Sequence, residues 1–588
     1  MSATAIAWLE YDPGEAVNQL WCLRKGDPVR LTAATFSIRS AVNGYGGGAM
    51  CLDRNTAYVV EHDTQQVVRI DCRTGTRQQI TRDPLSQFGG LVWDSMRGRV
   101  LAVREERGEG REGRQQLVAI APVTGHLTVL AEGEDFYGAP AISVDGGSLA
   151  WISWSLPDMP WFATRLWRAD VTEQGELASV RSLEPPHTAS VQQPRFADGN
   201  LMVLSDHDGW WQPFLVSEGG AGVVWNCLED RQADHGNAPW QLAEQHGVSL
   251  SGGGRAWVCY QHGYGELWWR SQWDSQPRRL LPDCVDFRSL QSRGDDIFCV
   301  ARHTDAMDSV WQIRPETGYC RRLAGGERPI PAQECVRPRS MVVPVESGSA
   351  VQLFHYPPIS AADAAPPVIL RVHGGPTSAA YPVFDPQAQF WLQRGFAVVD
   401  VNYRGSSGFG RDYRLALAGR WGELDVADIH SAVDFLARKG VVDTDRAFIQ
   451  GRSAGGFTVL MAMLDNSRFR AGASLFGVSD PSRLRAMTHR FESGYLDWLL
   501  GDPESHPERW RERTPVSQGH RIRRPMIFFQ GGQDRVVVPE QTEAMVAALE
   551  ANGQSVSYHF FPEEGHGFRR AERQAFLLQT LLEFYNAH

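Results

Sequence analysis

Two regions of different construction are predicted: seven small antiparallel β-sheets set radially, then a mostly parallel sheet covered by helices on both faces. Three observations predict this. A strand–turn–strand unit recurs seven times in the first part of the chain, strands and helices alternate in the second, and the composition changes between them. All nine cysteines, and sixteen of the twenty tryptophans, precede residue 336. The expected division is 1–335 and 336–588. A chain of 588 residues exceeds the roughly 250–300 that one core supports.

The recurring unit is an apolar strand, a polar turn often ending in Gly, and a second strand. It appears at Leu20–Leu23, Val68–Asp71, Leu117–Ile120, Leu166–Ala169, Phe214–Val216, Leu267–Trp269 and Val310–Ile313, about 48 residues apart. Further alternating runs lie between the copies, such as Leu149–Ile152 and Leu201–Leu204, so about four strands per repeat are expected. Four-stranded sheets repeated radially make a β-propeller, here of seven blades. A large sandwich or a solenoid fits the period less well. Trp154, Trp161, Trp210, Trp211, Trp268 and Trp269 are expected to pack between blades.

In the second part, Pro367–Val372 reads as a buried strand, and Asp385-Pro386 opens a helix that Gly395 stops, an N-cap with Pro at the first helical position. Strands are expected at Phe396–Val401, Ala447–Gln450, Ala471–Phe476, Met526–Gln530 and Val556–Phe561. Val426, Ile429, Val433 and Leu436 stripe one helix face. Strands separated by helices build a parallel sheet with both faces covered.

In such sheets reactive groups sit beyond the carboxyl ends of strands. Gly451-Arg452-Ser453-Ala454-Gly455 lies at a strand-to-helix junction, where small residues permit a sharp turn that projects the Ser453 hydroxyl. Asp534 follows the Met526 strand, and His566 follows the last strand. A serine needs an imidazole to take its proton, and the imidazole needs a carboxylate to hold its tautomer. Ser, Asp, His is the chain order of α/β-hydrolases. His373-Gly374-Gly375-Pro376 directly follows its strand. The Gly375 amide, with that of Ala454, is the expected oxyanion donor pair, and His373 is expected to order this loop rather than transfer protons.

These residues resemble the prolyl oligopeptidase family of serine peptidases, most closely its acylaminoacyl-peptidase and dipeptidyl-peptidase-like branch. The resemblance extends to Asn402-Tyr403-Arg404-Gly405-Ser406, Gly408-Phe409-Gly410, Trp421-Gly422 with Asp425, and Thr488-His489-Arg490-Phe491-Glu492. In the propeller it includes Tyr45-Gly46-Gly47-Gly48 and Ser205-Asp206 with Gly209-Trp210-Trp211. It implies that the propeller gates the hydrolase site as a cap and admits short peptides. It also implies an apolar S1 pocket drawn from Val478–Trp498, with Met487, Phe491, Tyr495, Leu496 and Trp498 as candidates. Relatives are often dimers or larger, which allows a homo-oligomer. Relatives often carry Tyr after the nucleophile where this chain has Ala454.

Composition narrows the partners. With 58 Lys plus Arg against 69 Asp plus Glu, a formal charge of −11 and no basic run, nucleic acid and anionic membranes are disfavoured. The cysteines show no CxxC spacing and read as reduced. Glu10, Asp12 and Glu15 stand where a signal peptide would be basic and then apolar, so a cytoplasmic protein is expected. No metal or cofactor is expected. The same triad also serves an esterase, lactonase or amide hydrolase acting on a small metabolite, and a catalytically inert binding protein is a third possibility that the intact Ser, Asp, His set argues against.

Overall fold

In the computed structural model, the described residues are 5–107, 113–220, 222–272, 275–345, 348–360, 364–465 and 467–588. The first part is a seven-bladed β-propeller, its sheets spanning 7–30, 50–79, 86–131, 136–182, 191–227, 247–280 and 286–325. Each of the seven sequence repeats is the penultimate strand of its blade. The strand is conspicuous in sequence because alternate residues enter the cores between blades, as Val68 and Ile70 do while Arg69 stays exposed. The period therefore reads one strand per blade. Among the described residues six blades carry four or five strands and the first, Ala7 to Arg30, has three, fewer than the repeat spacing predicts. Stacked rings such as Tyr58 on Trp93, with centroids 5.1 Å apart, join neighbouring blades.

The second part is an eight-stranded sheet: β1 (Arg339–Pro344), β2 (Ala350–Tyr356), β3 (Pro367–Val372), β4 (Ala397–Asn402), β5 (Asp443–Arg452), β6 (Ala471–Leu475), β7 (Met526–Gly531) and β8 (Val556–Phe561). Its spatial order is β1-β2-β4-β3-β5-β6-β7-β8, with β2 antiparallel to both its neighbours, β1 and β4, and the remaining pairs parallel. This is the α/β-hydrolase arrangement. The central strands are apolar on both faces, with Val368, Ile369 and Leu370 fully buried, as helices on each side require. Asp385 caps the helix Pro386–Leu392, its carboxylate accepting from the Gln387 amide at 2.9 Å. In the helix Leu424–Arg438 the face bearing Ile429, Val433 and Leu436 is buried.

The two parts meet over a charged and aromatic joint. Asp206, fully buried in the propeller, accepts from Arg411 at 2.8 Å and from the fully buried Arg414, whose guanidinium lies 3.7 Å from the Trp211 ring centre. Asp234 accepts from the Gly410 and Trp211 amides, each at 2.9 Å, and the Arg411 amide donates to the Gly209 carbonyl at 2.7 Å. Arg490 pairs with Asp135, and Trp240 donates to the Thr377 carbonyl at 2.6 Å. Among the described residues no helix is long and apolar enough to cross a membrane, and all nine cysteines are free.

Candidate active site

Ser453 stands between β5 and the helix Ala454–Ala462 at φ 53° and ψ −122°, a backbone state that costs a non-glycine residue energy and persists only where its surroundings enforce it. The enforcement is local. A Cβ at Gly451 would run into the Gly455 carbonyl, one at Gly455 into the Val372 carbonyl, and one at Gly456 would lie 2.6 Å from the Gly477 Cα. Only glycines let the helix start this close to the sheet, and the turn that results lifts the hydroxyl into a cavity of about 520 Å³ lying between the two domains.

His566 lines the same cavity. Its Nδ1 lies 2.8 Å from Asp534 Oδ2, and its ring packs edge-on against Phe476, with centroids 4.8 Å apart. Asp534 is buried. Its Oδ1 accepts from the Val536 and Val537 amides at 2.9 and 3.0 Å, so the carboxylate is fixed by its own turn before it meets the imidazole. Gln530 Nε2 donates to the Val537 carbonyl at 3.0 Å and its Oε1 accepts from Thr542 at 2.7 Å, which holds that turn from below.

The Gly374-Gly375 loop passes against the serine: a Cβ at Gly374 would lie 3.5 Å from Ser453 Cβ. Gly375, at φ 119°, and Ala454 both line the cavity. Neither amide donates to another group among the described residues. His373 stacks on Tyr403 at 4.3 Å, with Nδ1 2.9 Å from the Gly374 carbonyl and Nε2 2.8 Å from Ser406 Oγ. Burial pushes its pKa down to about 4, so a neutral ring orders the loop.

The five S1 candidates separate. Tyr495 and Leu496 line the cavity, with the Tyr495 hydroxyl 2.6 Å from Thr377 Oγ1. The other three are not among its walls. Met487 is 51% exposed, outside the cavity walls, because it ends the helix Pro481–Met487 on the solvent side. Phe491 is buried among Tyr45, Phe136 and Trp161 at 5.8 to 6.3 Å, where it packs the joint. Trp498 is drawn away to Phe162, 4.3 Å off. Val478, Leu484, Leu499 and Trp421 complete the apolar wall.

Two carboxylates line the cavity, Glu244 of the propeller, which sequence reasoning missed, and Glu492 of the hydrolase domain, which it quoted in a motif without giving it a place in the site. Glu492 Oε1 accepts from the Tyr45 hydroxyl at 2.6 Å and Oε2 from Thr488 at 3.1 Å. Glu244 Oε2 is buried without a hydrogen-bond partner, and burial raises the carboxyl's pKa. The cavity's cations are engaged, Arg288 by Asp286 at 2.9 Å and Arg452 by Gln387 at 2.8 Å. Among the described residues no three or more His, Cys, Asp or Glu gather as a metal-binding group.

Residues 382–588 match the prolyl oligopeptidase family. Dipeptidyl aminopeptidase BIII of Pseudoxanthomonas mexicana is 33% identical over 217 residues, which is 36% of this chain and 32% of that protein. The match thus spans about a third of that curated relative's length. Over the whole chain, the crystal structure of a puromycin hydrolase superposes with a TM-score of 0.94 at 29% identity, covering 100% of this chain and 93% of the other. A puromycin-hydrolyzing peptidase of Mycobacterium tuberculosis gives 0.94 at 28%, with the same coverage.

Proposed function

Residues 382–588 match the prolyl oligopeptidase family of serine peptidases, and from that premise we propose that this chain hydrolyses short peptides through an acyl-enzyme on Ser453. The observation that carries the reading is the His566–Asp534 contact at 2.8 Å in a cavity shared with Ser453. The Nδ1–H donates to Asp534, which leaves Nε2 to take the Ser453 proton as the hydroxyl attacks the carbonyl carbon. The oxyanion accepts from the Gly375 and Ala454 amides. The imidazolium then protonates the leaving amine, and a water, deprotonated by the same ring, releases the acyl group.

A cavity of about 520 Å³ is of the size that holds small ligands, roughly 300–1,000 Å³, which favours short substrates, and its apolar wall favours an apolar side chain before the bond cut. The carboxylates Glu244 and Glu492 favour a free amino terminus over an acylated one. The propeller is the cap that limits substrate size, and nine free cysteines suit a reducing, cytoplasmic setting. Ser453→Ala should cost about six orders of magnitude in kcat and abolish labelling by a fluorophosphonate. Mass spectrometry of products from peptides with free and blocked ends tests the substrate class: cleavage of aryl esters with no peptide cleaved would sink it.

A second reading, amide hydrolysis on a small molecule, draws on the likeness to puromycin hydrolases. Puromycin turnover exceeding that of every peptide in the series would favour it.

A further inference from the structure

A second cavity, of about 700 Å³, adjoins the first and shares Tyr45 and Gln241 as walls. One side is built from the first two blades, with Tyr11, Arg39 and Ser40; the other is the stretch that follows His566, with Phe568, Arg569 and Gln574. No Asp or Glu lines it, and neither Arg39 nor Arg569 makes an ion pair within 4.0 Å among the described residues. Burial, and then the cation of Arg569, push the Arg39 guanidinium down to about 10, so the two cations stand within each other's field, with Asp12 and Glu564 nearby around Tyr11. Glu564, close in sequence, is turned to the Arg569 amide at 3.2 Å. The amino end of the helix Ala571–Ala587 also borders this cavity and adds partial positive charge.

Position relative to the chemistry gives this charge a purpose. His566 protonates the leaving amine, so the departing half of a peptide lies on the His566 side of Ser453. Arg569 follows His566 by three residues, at most about 10 Å of chain, the reach of two or three extended substrate residues. We infer that Arg39 and Arg569 form a carboxylate subsite that binds the C-terminus of the departing half, so that the enzyme measures peptides that end two or three residues past the cleaved bond. The inference rests on the peptidase reading above.

The test compares kcat/KM of the full chain on matched peptides ending in a free acid or an amide. The free acid should be favoured at least about tenfold, through KM, as a charge-assisted pair would give. R39Q and R569Q should each collapse that ratio toward one. Equal rates for acid and amide in the unaltered enzyme would overturn the inference, and so would substitutions that lower both substrates alike. An amidated peptide with Asp at the last position separates a terminus from a side chain: full rescue overturns the assignment to the terminus. If only aryl esters are cleaved, the peptidase reading fails and the subsite is tested alone. Inhibition of ester cleavage by a free-acid dipeptide but not by its amide supports it, and equal inhibition overturns it.

Discussion

The two sides of the propeller–hydrolase junction are built on opposite plans. On one, Asp206, Arg414 and Asp234 are buried with the part-buried Arg411 beside them, and the Gly410 and Arg411 amides of the hydrolase domain donate to the propeller. On the other, the first blade touches the hydrolase domain through the Tyr11 hydroxyl on the Arg569 carbonyl, at 2.9 Å, and the Ala571 amide on the Pro13 carbonyl, at 3.2 Å, beside an open cavity. A buried charge network is costly to break because each partner left behind is an uncompensated ion. A cleft bordered by two polar contacts opens at little cost. The propeller is therefore welded along one edge and permissive along the other, and the stretch that follows His566 borders the permissive edge.

The comparison breaks most readily at Asp206. D206A strands two guanidiniums, one fully buried, and should cost about 3–5 kcal/mol in chemical denaturation; a loss under about 1 kcal/mol would mean that the joint does not hold the domains. Acid attacks the same edge. His235 is fully buried beside Asp234, and burial pushes its pKa down to about 3, as it does for His246. Between pH 6.5 and 3 the unfolded chain binds these protons and the folded chain does not, so stability falls as pH drops through that window, by up to about 1.4 kcal/mol per unit for each histidine. Melting curves from pH 8 to 5 should show the slope, and H235Q should flatten it. Y45F removes the donor to Glu492, a charged hydrogen bond worth about 1.5–3 kcal/mol, and should raise KM for free-amine peptides more than for blocked ones. The smallest effect belongs to the open edge: R39Q should change stability by less than about 0.5 kcal/mol, in the stabilising direction, since it relieves Arg569.

Much of this architecture is legible in the residues because its steric demands are local. The seven repeats are visible because every blade must bury one face of the same strand. Ser453 is visible because its turn tolerates almost nothing but glycine around it. The hairpin of β1 and β2 escaped notice: Ser340, Gln352 and His355 interrupt its apolar pattern, and its place in the sheet is set by pairing with β4, a partner distant in sequence. The pocket was harder still. Phe491 and Trp498 have the composition of a pocket wall, but the propeller supplies Trp161 and Phe162 to absorb them, and no motif in the hydrolase half announces that. The strings that carry the family resemblance have a physical explanation: Asp206 and Gly209 meet Gly410 and Arg411 across the joint, and Tyr45 meets Glu492.

Tyr45 forms a wall of both chambers. A phenol whose hydroxyl is held at 2.6 Å by a carboxylate of the opposite domain stands as a turnstile post between two rooms: on the proposed reading, a fragment that reaches past it is gripped at both ends, and one that stops short is gripped at one. Selection by ruler, rather than by the identity of any single side chain, is what the proposed subsite would deliver on such a floor plan.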